Sequence, residues 1–125
     1  IELNARSVPE MRHFKELIEL FGKLEGSFMM HCKSGSDRAG LASVIYLLTQ
    51  KGETIYTAKR MLSFRFLHLK LTKTGVLDYL LREYERAFVL SGVRFENWLE
   101  TDYDPDAINK KWASMSLFQR WQALR

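Results

Sequence analysis

The sequence predicts an α/β fold in which the visible chain is mainly helical around one central strand. The strand is the short apolar run "SFMMH", residues 27–31, which is bounded by turn residues. The run "GLASVIYLLTQ", residues 40–50, is apolar almost all round and is stopped by Gly52, as expected for a helix buried within a domain. Helical spacing of apolar residues elsewhere predicts the other elements.

Capping residues and helical spacing place these other helices. The segment "SVPE" has the spacing of a capping box from Ser7 to Glu10, with Pro9 in the first turn, so a helix is expected over residues 9–21. Asp104 and Pro105 mark the start of a later short helix in the same way. The further predicted helices cover residues 54–64, 75–88, 94–100, 104–112 and 116–125.

Composition indicates one soluble domain. With 125 residues, 46% of them hydrophobic, the chain can bury a core, so residues 1–125 are assigned to a single domain with residues 93–125 as a helical extension. No apolar run is long enough to span a membrane, and one cysteine indicates a reducing, cytoplasmic location. The net charge of +4 is spread among glutamates, and we expect no nucleic-acid partner. The tryptophans are expected to be packing anchors, namely Trp98, Trp112 and Trp121.

The segment "HCKSGSDR" combines the only cysteine with an arginine six residues later. A tight turn between a strand and a helix would bring the Cys32 thiol and the Arg38 guanidinium around one small centre, and Gly35 would let the backbone N–H groups point inward. The helix start adds positive potential, which binds phosphate and lowers the pKa of a thiol. The predicted phosphate-binding residues are Lys33, Ser34, Gly35, Ser36, Asp37 and Arg38.

This motif resembles the His-Cys-five residues-Arg signature of the cysteine-based protein tyrosine phosphatase superfamily, and its Gly-x-Asp-Arg ending resembles bacterial dual-specificity-like members. The resemblance implies a phosphatase-type fold and a phosphocysteine mechanism. In that mechanism Cys32 attacks phosphorus, Arg38 binds the phosphoryl oxygens, and His31 shapes the loop behind the thiol. It implies a protein tyrosine or dual-specificity phosphatase without a cofactor, acting on a phosphorylated protein or a small phosphate ester.

Three departures from the family pattern bear on this interpretation. Ala39 stands where the family usually has a hydroxyl that helps the sulfur leave, and no Asp precedes Cys32 to serve as the general acid. Asp37 then has two interpretations: a carboxylate that fixes Arg38 and the loop, or the missing proton donor. Only one clear strand is present, so we expect the chain to begin partway through the domain and its exposed strand edge to favour a homodimer.

Alternative functions remain open at this point. Phosphoinositides or small phosphate esters are alternative substrates, and Ala39 together with the unassigned acid would also suit a catalytically weak phosphate-binding pseudophosphatase. A sulfurtransferase also uses a cysteine in an anion-binding loop, but it does not require the arginine. One cysteine and three scattered histidines predict no metal site.

Overall fold

The computed structural model describes residues 7–23, 37–59 and 75–125. Within these ranges 80% of the residues are helical and no strand occurs. The α/β prediction is therefore wrong for the described chain, which is mainly helical, and a central strand is not shown. The core of this part is built by packing helices whose backbone groups bond along each helix. The predicted strand at residues 27–31 lies outside the described residues.

Seven helices make up the described ranges, and most of them match segments with helical spacing in the sequence. They are α1 (Met11–Lys23), α2 (Asp37–Gln50), α3 (Ile55–Ala58), α4 (Val76–Ser91), α5 (Phe95–Thr101), α6 (Pro105–Ser114) and α7 (Leu117–Leu124). The helix predicted over residues 54–64 is described only as the short α3, because residues 60–74 lie outside the described ranges.

The start of α1 differs from the prediction. The helix begins at Met11, and the Glu10 carbonyl accepts from the backbone N–H groups of His13 and Phe14, at 3.0 and 3.3 Å. Glu10 therefore occupies the N-cap position, and Ser7 lies three residues too early to cap the helix. The end of α2 agrees with the prediction, because Gly52 adopts a left-handed φ of 66° just beyond it.

Helix α2 lies at the centre of the described fold and packs against α1, α3 and α5. Its side chains Leu41, Val44 and Ile45 are at most 1% exposed. This explains why its sequence is apolar almost all round, because neighbouring helices cover it from several directions.

Ring contacts join α1, α4 and α5 in what we call the aromatic core: Phe14, Tyr84, Phe95, Trp98 and Tyr103. The Phe95 ring packs edge-on against Phe14 at 5.7 Å and against Tyr84 at 5.1 Å, measured between ring centroids. Trp98 packs against Tyr84 and Tyr103, each at 5.5 Å. The Tyr103 hydroxyl also donates to the Pro9 carbonyl, so the residues before α1 are tied to this core.

The C-terminal helices pack on α4, and α7 is the least buried of them. Trp112 of α6 is 2% exposed and stacks on Tyr79 of α4, at 5.5 Å between centroids. The prediction that Trp98 and Trp112 are packing anchors is confirmed. For Trp121 it is wrong, because this residue is 36% exposed on α7, which contacts the core through the half-buried Ala123 and Leu124.

Candidate functional site

The beginning of α2 is the part of the predicted phosphate-binding loop that the structure describes. The helix starts at Asp37, so Arg38 and Ala39 lie in its first turn. The predicted buried helix is confirmed, and it starts three residues before the apolar run 40–50, so that it includes the last two residues of the motif. His31, Cys32, Lys33, Ser34, Gly35 and Ser36 lie outside the described residues, as do the side chains of Asp37, Arg38 and Ala39.

The start of α2 has the local properties that an anion-binding helix requires. The first N–H groups of any helix have no acceptor within the helix, and they carry the positive end of its dipole. Gly40, the fourth residue of α2, is buried, and Leu41 behind it is 1% exposed. The helix therefore enters the core directly after its first turn.

The carboxylates that precede Cys32 in the sequence are all glutamates: Glu2, Glu10, Glu16, Glu19 and Glu25. Glu10, Glu16 and Glu19 are exposed on or next to α1. Glu10 pairs with Arg12 at 3.0 Å and Glu19 pairs with Lys23 at 3.3 Å. The structure thus identifies none of these three as the acid, and Glu2 and Glu25 lie outside the described residues.

A buried ion-pair cluster, missed by the sequence reasoning, joins the end of α3 to α4. Glu85 is 7% exposed, and its Oε2 atom lies 2.8 Å from Lys59 Nζ while its Oε1 atom lies 3.3 Å from Arg82 Nη1. The Arg82 Nε atom is buried and makes no hydrogen bond to the described part of the chain. The three-residue spacing of Arg82 and Glu85 on one helix is visible in the sequence. Lys59 lies 26 residues before Glu85, so its contact is seen only in the folded structure. The cluster fixes the point where the chain leaves α3.

The described residues contain neither a metal-binding cluster nor a helix that could span a membrane. Within residues 7–23, 37–59 and 75–125, no group of three or more His, Cys, Asp or Glu side chains could hold a metal ion. None of the helices in those ranges is both long and apolar enough to cross a bilayer.

No protein-family model, curated protein or solved structure matches the chain. The candidate function therefore depends on the cysteine–arginine motif and on the position of α2 directly after it.

Proposed function

We propose that the chain is a phosphomonoester hydrolase that acts through a phosphocysteine intermediate. Cys32 is the nucleophile and Arg38 is the phosphate-binding cation. The observation that carries this proposal is the order of cysteine, five residues and arginine, with α2 beginning at Asp37. A helix that starts at the end of the motif directs its unpaired N–H groups and its positive dipole end toward the preceding loop, where an anion would be stabilised.

The reaction has two displacements at phosphorus. In the first, the Cys32 thiolate forms a P–S bond, the ester P–O bond breaks, and the leaving oxygen takes a proton from a general acid. In the second, water attacks phosphorus, the P–S bond breaks, and phosphate and the thiolate are released. Arg38 holds two phosphoryl oxygens in both steps, since a guanidinium binds them as a planar pair of donors. No cofactor is required, but the free thiol needs a reducing compartment such as the cytoplasm.

The substrate class proposed first is a phosphorylated tyrosine or serine/threonine side chain of a protein, with phosphoinositides or small phosphate esters as the alternative. A second function, phosphate binding with weak turnover, is favoured by Ala39. This residue lies in the first turn of α2, where the resembling family usually has a hydroxyl group. Without that hydroxyl, departure of sulfur in the second step is slower unless another group assists it.

Alkylation of the single cysteine tests the proposed nucleophile directly. Because the chain contains one cysteine, labelling by iodoacetamide reports only Cys32. We expect its rate to titrate with a pKa well below the value of about 8.5 for a free thiol, and we expect orthovanadate to protect it. A normal thiol pKa without protection would contradict an anion-stabilising loop.

Hydrolysis of para-nitrophenyl phosphate then separates catalysis from binding. Cys32→Ser should abolish turnover while keeping phosphate binding, and Arg38→Lys should lower kcat by about 100-fold to 1000-fold, as removal of one electrostatic donor does elsewhere. Arg12→Lys is the matched control, because Arg12 is an exposed arginine on α1 that pairs with Glu10. Undiminished hydrolysis by Cys32→Ser would reject the mechanism. Protection of Cys32 without any turnover would assign the chain to phosphate binding.

A further inference from the structure

The last part of the chain carries all of its net positive charge. Residues 107–125 contain four basic residues and no Asp or Glu, whereas residues 1–106 contain 15 basic and 15 acidic residues. The four cations lie on α6 and α7 or directly after α7: Lys110, Lys111, Arg120 and Arg125. The net charge, which we described above as spread among glutamates, is therefore concentrated in the segment that carries α6 and α7.

The same segment exposes large apolar side chains, which we call the α7 face: Leu117, Phe118 and Trp121. Leu117 and Phe118 are each 63% exposed and Trp121 is 36% exposed. The Phe118 and Trp121 rings stack on each other at 6.0 Å between centroids, and the Arg125 guanidinium lies over the Trp121 ring at 5.0 Å. The apolar surface of α7 is thus wider than the part that packs against the core.

Helix α7 is held in place before any partner arrives. The Ser116 hydroxyl accepts from the Gln119 backbone N–H at 3.2 Å, and the Gln119 side chain accepts from the Ser116 N–H at 2.8 Å. Arg120 donates through Nε and Nη2 to the Trp112 carbonyl, at 3.1 and 3.0 Å. Binding through the α7 face therefore needs no folding of the helix, which removes an entropic cost.

We propose that the α7 face and the basic segment that carries it, residues 107–125, form a docking surface for an anionic lipid bilayer. Helix α7 exposes Trp, Phe and Leu side chains, has Arg125 over the Trp121 ring and contains no Asp or Glu. These properties match the chemistry of interfacial helices, whose apolar side enters the headgroup region. Anionic headgroups attract each nearby Lys or Arg. The surface does not depend on the proposed phosphatase activity.

The charges and ring contacts argue against two other occupants of the α7 face, a second copy of the chain and a single-stranded nucleic acid. A second copy placed on the α7 face would bring together two segments that each carry four basic residues and no Asp or Glu, which opposes association. A single-stranded nucleic acid would need a free aromatic ring face for base stacking. The Trp121 ring already contacts Phe118 and Arg125, which leaves the 63% exposed Phe118 as the main ring available, whereas successive bases stack on several rings.

Vesicle flotation with the whole 125-residue chain tests the proposal. We expect binding to phosphatidylcholine vesicles that contain about 30% phosphatidylserine, little binding to phosphatidylcholine alone, and loss of binding at high salt. Leu117→Ser with Phe118→Ser should weaken binding about tenfold or more, and Arg125→Gln about threefold to fivefold. Trp121 fluorescence should shift to the blue on binding, because the other two tryptophans are already buried.

Matched variants exist on α4 and α1. Val89→Ser with Leu90→Ser removes two apolar residues that are 65% and 87% exposed, and Arg12→Gln removes an exposed arginine elsewhere. Both should leave binding unchanged, and so should Cys32→Ser. Equal losses in the α4 and α7 variants would overturn the proposal. So would tighter binding of a single-stranded oligonucleotide than of vesicles, or a dimer in sedimentation that Phe118→Ser dissociates.

Discussion

The aromatic core and the α7 face are built from the same residue types but differ in what covers them. In the aromatic core, Phe95 is 2% exposed and has three aromatic neighbours within about 6 Å. On the α7 face, Phe118 and Trp121 stack at a similar distance while remaining exposed. Ring contact alone therefore does not identify a stabilising pair. A pair stabilises the fold when its rings are removed from water, because most of the free energy that an aromatic side chain contributes to folding comes from its buried area.

The two regions consequently have different roles. Removing a ring from the aromatic core leaves a cavity between α1, α4 and α5, whereas removing one from the α7 face changes only the solvated surface. The α7 face is then available to a partner without loss of stability in the folded chain.

The largest expected difference comes from replacing one phenylalanine with alanine in each region. Phe95→Ala should lower the free energy of unfolding by about 3–5 kcal/mol, because the neighbouring rings of Phe14, Tyr84 and Trp98 cannot fill the space. Phe118→Ala, the matched variant on the α7 face, should change it by less than about 0.5 kcal/mol. Urea unfolding followed by circular dichroism measures both values. Similar losses would mean that α7 is part of the core in solution.

Alkaline pH should lower the free energy of unfolding through tyrosines that pack in the interior, and α7 carries no tyrosine. Burial raises the pKa of Tyr79 to about 12, with the nearby Glu83 carboxylate adding to the shift. Burial also raises the pKa of Tyr103, with Asp104 as the second cause, and that of Tyr84, with Glu96 as the second cause.

Between the usual tyrosine pKa of about 10 and the higher folded values, the unfolded chain loses protons that the folded chain keeps, so stability falls as the pH rises through that range. Below about pH 10 these tyrosines contribute no pH dependence. Urea midpoints measured from pH 9 to pH 12 should decline only in the upper part of the range. Tyr103→Phe should make the decline shallower, and an unchanged slope in that variant would contradict the assignment.

Much of the helical order was predictable from local signals in the sequence. Asp104 accepts from the Ala107 N–H at 3.1 Å, so the predicted cap of α6 is confirmed. What failed was the α/β class, which depended on one apolar run of five residues outside the described ranges. The burial of Trp121 also failed, since helical spacing shows that a face is apolar but not whether another element covers it.

The candidate site could be predicted only in part. The motif around Cys32 and Arg38 is read directly from the sequence, and the helix expected after it is present as α2. The roles of Asp37 and Ala39 stay predictions, because their side chains lie outside the described residues. The Lys59–Glu85 pair could not be predicted, since no local pattern relates residues so far apart on two helices.

The contrast between buried and exposed groups also applies to ion pairs, where we expect smaller changes in the free energy of unfolding. Glu85→Gln should cost about 1–2 kcal/mol, because it weakens the acceptor of both Lys59 and Arg82 in a site where the Glu85 side chain is only 10% exposed. The partial exposure of Lys59 limits the loss, since its ammonium group can turn toward water. Urea unfolding at neutral pH measures the difference.

The matched control is Glu19→Gln on α1. Glu19 is 68% exposed and pairs with Lys23, 73% exposed, at 3.3 Å. Exposed pairs of this type contribute less than about 0.5 kcal/mol. If Glu19→Gln cost as much as Glu85→Gln, burial would not be what distinguishes the two pairs.

The smallest effect compares the caps of α6 and α7. Asp104 caps α6, which carries the buried Ile108 and Trp112, whereas Ser116 caps α7, which buries no side chain. Losing either cap costs its helix about 1 kcal/mol. Asp104→Ala should therefore lower the global free energy of unfolding by about that amount, because α6 unfolds together with the core. Ser116→Ala should leave the global value nearly unchanged and raise amide hydrogen exchange in α7 about fivefold, because a helix that buries little can open locally. Equal global losses for the two variants would mean that α7 opens only when the whole fold does.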